Sequence, residues 1–384
     1  MKVVIAIDSF KGSLTSAEAA HATQEGILQV YPEWQTDIIP IADGGEGMLN
    51  VMLNAKQGFI QTINAHNPCM EITKAAYGIS TDGTTAFIEM ATISGLPLVR
   101  EELRNPMKTT TYGTGELICD ALERGCTEFI IGIGGSATND AGTGMLQAMG
   151  VRFLDANGHS LGQGGEILGE IASIDTTHIH PRAKHAHFTV ACDVQNPFFG
   201  PNGAAHVFAR QKGADDSMIA LLDKGMRSFA QVLRNETGKD ISNLPGSGAA
   251  GGMGGGMLAL LNAELRSGAD LLLDTCHFKE RSKEANLIIT GEGRMDRQSL
   301  MGKITGKILQ IGQSQHIPVI ALVGRAEDEN ILQKAGFKGI YPIKPEGMTL
   351  EEAMKKEVAT RNITQKMAEI LRSNSSFLQK IQNL

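Results

Sequence analysis

Residues 286–303 read NLIITGEGRMDRQSLMGK, and the fold of the chain follows from how this stretch is read. Leu287, Ile288 and Ile289 form a short apolar run of the kind that a strand buried on both faces needs. Gly291 and Gly293 break that run, and Glu292, Arg294 and Asp296 crowd in among and after them. A helical pattern begins near Ser299. The order is strand, polar loop, helix, with two acids and a base where the strand ends. Ligands of open α/β sheets bind at that edge. A solvated surface loop would also carry charge, but three other strand ends in this chain carry loops of similar character.

Outward from this stretch the rhythm repeats. Towards the C-terminus, Val319–Val323 precedes a helix at 328–335, and Gly339–Ile343 precedes a long amphipathic helix from Thr349 to about Arg372. At the N-terminus, Val3–Ile7 is a strand ending in Asp8-Ser9-Phe10-Lys11-Gly12-Ser13. Thr15 and Glu18 then form a capping box for the next helix. Asp37–Ile41 is a second strand, ending in Ala42-Asp43-Gly44-Gly45-Glu46-Gly47, with a short helix after it. These segments predict a flavodoxin-like doubly wound parallel sheet of five discontinuous βα units, formed by residues 1–58 and 285–384.

Between the two parts the texture changes. Phe59–Asn64, Ile72–Ile79 and Thr84–Met90 read as strands, the last two joined by the hairpin signal Thr81-Asp82-Gly83. A helix at about 114–124 closes on Gly125, and strands follow at Phe129–Ile133 and Phe188–Asp193. Asp215 caps a strongly periodic helix, and Pro245–Gly256 leads to a helix at about 257–266. Residues 59–284 are therefore expected to form an inserted mixed α/β domain, hanging over the carboxyl edge of the sheet to make a cleft.

Composition narrows the class. The chain has 384 residues, 42% hydrophobic and 20% charged, as in a globular protein too long for one ordinary core. Its 45 glycines, about 12% against a usual ~7%, fall in clusters that mark loops. A net charge of -7 and few aromatic residues argue against nucleic-acid binding. Five scattered cysteines without a C-x-x-C suit a reducing compartment. The opening MKVVIAIDSF is shorter than a signal peptide, and no apolar run reaches membrane length. A cytoplasmic chain with no membrane partner is expected; a homodimer is allowed but not specified.

In the predicted cleft, Lys11 and Arg294 meet Asp43 and Asp296. Cations beside carboxylates suit phosphoryl transfer: lysine neutralises charge on the transferred group, and aspartate holds Mg²⁺ or takes a hydroxyl proton. Gly132–Thr138, GIGGSAT, offers successive backbone N–H groups to an anion. It also contains G-x-G-x-x-A, a dinucleotide-type pattern that leaves an NAD-dependent hydroxy-acid dehydrogenase open as an alternative. A non-enzymatic binder of small anions is the other alternative. There is no Walker A motif, since Gly302-Lys303 lacks the upstream glycine and the adjacent hydroxyl. The GAAGGMGGG run suits either close backbone packing or ligand approach. His178, His180, His185 and His187 have no carboxylate or cysteine completing a metal site.

The chain resembles the bacterial type-1 glycerate kinases. The likeness rests on DSFKGS (8–13), ADGGEG (42–47), IEMA and SGL (88–96), NPMKTTTYGTGELI (105–118) and IGIGGSATNDAGTGM (131–145). It continues through ACDVQNP (191–197), QKGA (211–214), GAAGGMGGG (248–256) and TGEGRMDRQS with GK (290–303), in order across nearly the whole chain. The resemblance implies ATP-dependent, Mg²⁺-requiring phosphorylation of D-glycerate, with 2-phosphoglycerate favoured, in glyoxylate or sugar-acid degradation. On that footing Lys11, Arg294 and the Ser9 hydroxyl are candidates for the glycerate carboxylate and the γ-phosphate. Asp8, Asp43, Gly44 and Gly45 join Ser9 as substrate-binding candidates. Asp193 or Asp296 would orient or deprotonate the attacking hydroxyl, and Asp43 with Asp296 are the metal candidates, Asp193 being the alternative to Asp296. Gly134, Gly135, Ser136 and Thr138 would cradle the ATP phosphates.

Overall fold

The computed structural model describes residues 1–42 and 47–373, and the chain divides into two compact units. One comprises Met1–Asp43 with Ala269–Leu384, the other Gly44–Gly268. In chain order the strands are β1 (Lys2–Ile7), β2 (Gln35–Ile38), β3 (Phe59–His66), β4 (Ile72–Ile79), β5 (Thr85–Glu89), β6 (Glu128–Gly132) and β7 (Arg152–Leu154). They continue as β8 (Ser173–Asp175), β9 (His187–Ala191), β10 (Glu264–Arg266), β11 (Leu287–Met295), β12 (Val319–Ala326) and β13 (Gly339–Pro342).

The first unit is a five-stranded sheet ordered β13-β12-β11-β1-β2, parallel throughout. Counted within the unit this is the order 2-1-3-4-5 of the flavodoxin-like fold expected from the sequence. Val3 to Ile7 of β1 are completely buried, as a central strand covered on both faces must be. On one face Val3, Ile5, Ile7, Leu287, Ile289, Ile320 and Leu322 meet the helices Ser16–Leu28 and Lys356–Ser373. Gly26 lets those helices close, since a Cβ there would lie 2.5 Å from the Thr364 carbonyl oxygen. The Thr15–Glu18 capping box forms with both of its hydrogen bonds. The long C-terminal helix breaks at Met354-Lys355, giving a short turn Leu350–Ala353 before Lys356–Ser373.

The second unit is built on a six-stranded mixed sheet, β10-β9-β6-β5-β4-β3, with β3-β4-β5 antiparallel and the rest parallel. Strands β7 and β8 make a separate ribbon. Phe129, Ile131 and Val190 join Phe153, Leu222 and Phe229 in one core. The helix Asp216–Thr237 starts on the Asp215 side chain, which accepts from Met218 N.

Several limits differ from the sequence reading. The units part at 43/44 and 268/269, where 58/59 and 284/285 were expected. Helix Met48–Lys56 packs on β4 and β5, with Leu49 N donating to Glu89 Oε1 at 2.7 Å, so it belongs to the second unit. The segment after Gly268 belongs to the first: Lys307 Nζ donates to Asp270 Oδ2 at 3.0 Å, and Arg281 is paired with Asp37. The expected helix at 257–266 is instead Met253–Leu260, followed by β10. Strand β11 also runs through Gly291 and Gly293 to Met295, because its ladder with β12 continues to Met295 opposite Ala326. Among the described residues no helix is long and apolar enough to cross a membrane.

Candidate active site

In the first unit, the carboxyl ends of β1, β11, β12 and β13 surround a cavity of about 950 Å³. Asp8 N donates to Gly291 O at 2.9 Å, carrying the β1–β11 pairing one residue past the strand, and Ser9 N donates to Asp8 Oδ1 at 2.7 Å. The chain then turns tightly: Phe10 and Leu14 bond each other in both directions, with Gly12 at φ +76°. This puts Lys11 at the tip of the turn, exposed and bordering the cavity.

Opposite, Arg294 and Asp296 come from the end of β11. Asp296 is held by a reciprocal cap: its carboxylate accepts from Gln298 N at 2.8 Å, and its own N–H donates to Ser299 Oγ at 3.2 Å. Its other oxygen lies 3.8 Å from Arg294 Nε. Glu327 holds two guanidinium groups, accepting from Arg294 Nη2 at 2.7 Å and lying 3.3 Å from Arg325 Nε. That carboxylate keeps Arg294 even more firmly protonated than usual. Glu292 is buried, accepts from Thr305 Oγ1 at 2.9 Å and sits 3.7 Å from Lys303 Nζ. Lys303 and Lys344 border the same cavity. Fixed carboxylates alternate with cations around a space large enough for a nucleotide-sized anion.

The second unit carries a smaller cavity of about 250 Å³, bordered by Gly134, Gly135 and Ser136 after β6, by Asp193 after β9, and by Lys212. Asp193 is fixed by the far end of its unit, where Gly268 N and Ser267 Oγ donate to Oδ1 at 2.9 and 3.2 Å. Thr138 lies behind the cavity rather than on it, fully buried, its hydroxyl oxygen without a hydrogen-bond partner among the described residues. Lys212 Nζ donates to Ser136 Oγ and to Thr138 O, both at 2.7 Å. Burial drives the Lys212 amine down to about 7, against the opposing pull of Asp140. Asp140 is itself pushed up by complete burial, although the Thr111 N–H and hydroxyl and the N–H groups of Gly142 and Gly144 all donate to it.

The residues singled out in the sequence thus fall into two groups. Asp8, Ser9, Lys11, Arg294 and Asp296 share the first unit's cavity, and Gly134, Gly135, Ser136 and Asp193 share the second's. Asp43, Gly44 and Gly45 lie outside the described residues. Lys212, Lys303 and Lys344 were given no role by the sequence reading. A lone lysine in a loop carries no local mark of its destination, although Lys212 stands in the quoted QKGA and Lys303 in GK. The glycine run 248–256 is explained by packing: a Cβ on Gly248, Gly251 or Gly256 would lie 2.2 Å from the carbonyl oxygens of Pro197, Thr138 and Ala141 respectively. Of the four clustered histidines, His180 bonds Glu123 at 2.7 Å, and no group of metal-ligating side chains occurs among the described residues.

A family model described as the glycerate kinase family matches residues 3–375. The chain belongs to the glycerate kinase family. It is 43% identical to glycerate 2-kinase of Escherichia coli (strain K12) over 374 residues, covering 96% of this chain and 98% of that one. It is 45% identical to glycerate kinase of Haemophilus influenzae over 344 residues, covering 89% and 91%. A crystal structure from Salmonella typhimurium LT2, bearing the name glycerate kinase 2, matches all of both chains with a TM-score of 0.88 at 39% identity. In this glycerate kinase family chain the Gly132–Ala137 pattern is not a dinucleotide fingerprint. That motif must open a helix, whereas here the next helix begins only at Thr143.

Proposed function

We propose that this chain is a glycerate kinase that transfers the γ-phosphoryl group of ATP, with Mg²⁺, to the 2-hydroxyl of D-glycerate. One observation carries the reading: in a member of this family, Lys11, Arg294 and Asp296 converge with Asp8 and Ser9 on one large cavity at the sheet edge. Phosphoryl transfer is catalysed by positioning and by charge, not by covalent chemistry of the protein, and that is what this set supplies. The name of the Escherichia coli relative, glycerate 2-kinase, supports the 2-position.

In this reading Lys11 and Arg294 bind anionic oxygens, with the Ser9 hydroxyl and Asp8 orienting the small acid alongside Asp43, Gly44 and Gly45. Asp193 or Asp296 directs the attacking hydroxyl and takes up its proton. Gly134, Gly135 and Ser136 seat phosphate oxygens of ATP; Thr138, buried behind that loop, is not one of the contacting groups. Mg²⁺ is commonly held by only one or two carboxylates, with phosphates and water completing its octahedron. Asp296 fits that demand, its backbone fixed by the cap and one oxygen engaged, among the described residues, only by the longer contact to Arg294. Asp43 is its proposed companion. When bound, the ion would neutralise charge on the transferred group. We place the reaction in the cytoplasm, where the chain's free cysteines stay reduced.

The test is Mg²⁺-dependent ADP release on adding D-glycerate, with the product assigned by ³¹P NMR. A 3-phosphate product overturns the regiochemistry; absence of ADP overturns the reading. Lys11→Ala and Asp296→Asn are expected to lower kcat at least ~100-fold with an unchanged circular dichroism spectrum. Near-wild-type turnover in both removes them from the site.

A further inference from the structure

Lys212 is buried almost completely, and among the described residues no carboxylate lies within ion-pair distance of its amine. Buried lysines without a counter-charge are rare, because the desolvation cost is large. Two of its three N–H bonds go to Ser136 Oγ and Thr138 O. The third meets no acceptor among the described residues. Since Ser136 Oγ accepts from Lys212, its own proton is left to point elsewhere, and Ser136 borders the 250 Å³ cavity. The backbone N–H groups of Gly134, Gly135 and Ser136 also lack partners among the described residues. The neighbouring bonds run the other way, from Leu96 N to Gly135 O and from Ala137 N to Ser94 O, both at 2.9 Å.

We propose that Lys212 is the buried counter-charge of an oxyanion seat, in which one phosphate or carboxylate group accepts from the Ser136 hydroxyl and from the N–H groups of Gly134, Gly135 and Ser136. Lys212 acts through Ser136, so it is a positioning residue. The cavity admits one oxyanion group and not a whole nucleotide. The inference rests on and deepens the glycerate kinase reading, because both substrates of that reaction present such a group. It adds a charge that the glycine loop alone lacks.

The groups facing Lys212 make the seat proton-linked. Asp140 on the loop after β6 favours the charged amine, and Cys192 and Asp193 after β9 border the same cavity. Arg210, on Lys212's own turn, is paired outward with Asp216. With the seat empty, burial holds the amine near 7, and an anion on Ser136 draws it back up. Anion binding above pH 7 therefore takes up a proton, and affinity falls as pH rises through that value.

The test is calorimetry of the full-length protein with ADP and with D-glycerate, each at pH 7.0 and 8.5 in two buffers of different ionisation enthalpy. One ligand is expected to bind with uptake of a fraction of a proton at pH 8.5. In Lys212→Met that uptake disappears and the same ligand binds at least ~10-fold more weakly. Ser136→Ala, which keeps the lysine, weakens that ligand too. The responding ligand identifies the seat: ADP a phosphate, glycerate a carboxylate. No proton uptake with either ligand in the wild type overturns the proposal, and so does unchanged affinity in Ser136→Ala; neither result needs the lysine variant to fold. Full turnover with unaltered binding in Lys212→Met overturns the inference and leaves the kinase reading standing. Proton-linked binding without turnover does the reverse.

Discussion

Lys212 fixes the sign of a pH effect that does not depend on any ligand. Its amine is lowered from 10.5 to about 7 by burial. Below pH 7 it is charged in both folded and unfolded chains, and the fold bears the whole cost of desolvation. Between about 7 and 10.5 the unfolded chain holds the proton and the folded chain does not. Stability then rises with pH, by up to about 1.4 kcal/mol per unit for one proton. Lys212→Met cannot titrate there. The stability difference, wild type minus variant, should therefore grow in favour of wild type between pH 7 and 9, measured from urea midpoints without ligand. A flat difference would mean that the native amine titrates normally. None of this was legible in the sequence, where QKGA gives a lysine, a glycine and no hint that Ser136, far away in the chain, receives it. That Lys11, Arg294 and Asp296 come to the carboxyl edge of one sheet was legible, because each lies at or shortly past the end of a recognisable apolar run.

Elements were legible where local signals and tertiary demands agree. The apolar run of β1, the Thr15–Glu18 box and the β4–β5 hairpin need nothing from distant residues to be read. Glycine misled twice, for the same reason. Met253–Leu260 contains three glycines and has poor helix propensity. It is helical all the same, and its glycines are set by packing, since Phe198 and the Ala141 carbonyl lie where side chains on Gly255 and Gly256 would be. Gly291 looks like a strand breaker but is a close approach: a Cβ there would lie 2.0 Å from Leu322 O, across the β11–β12 ladder. Gly291→Ala should cost about 3 kcal/mol or more by prising those strands apart. Gly293→Ala, whose nearest neighbour would be 3.6 Å away, should shift the melting temperature little. Paired thermal melts check this, and equal losses in the two variants would refute the steric account.

At the scale of the whole molecule, the two units differ in how the chain supplies them. In the first unit the interior strand β1 comes from the N-terminal segment and pairs with the middle strand β11 from the C-terminal one, so neither segment makes the whole sheet alone. The second unit is continuous, from Gly44 to Gly268, with its own core from Ala65 to Ala263. The antiparallel strands that begin at Phe59 were readable from the texture after residue 58. The exact limits were not, because short helices carry no sign of which sheet they will cover. A unit with its own core and unbroken connectivity should fold alone. A chain of residues 47–268 is therefore expected to show a cooperative thermal transition and a dispersed amide spectrum. Residues 269–384 alone, lacking β1 and leaving the edge of β11 unpaired, should show neither. If 47–268 melts without cooperativity, its core depends on the remainder of the chain, and the division into two self-sufficient units fails.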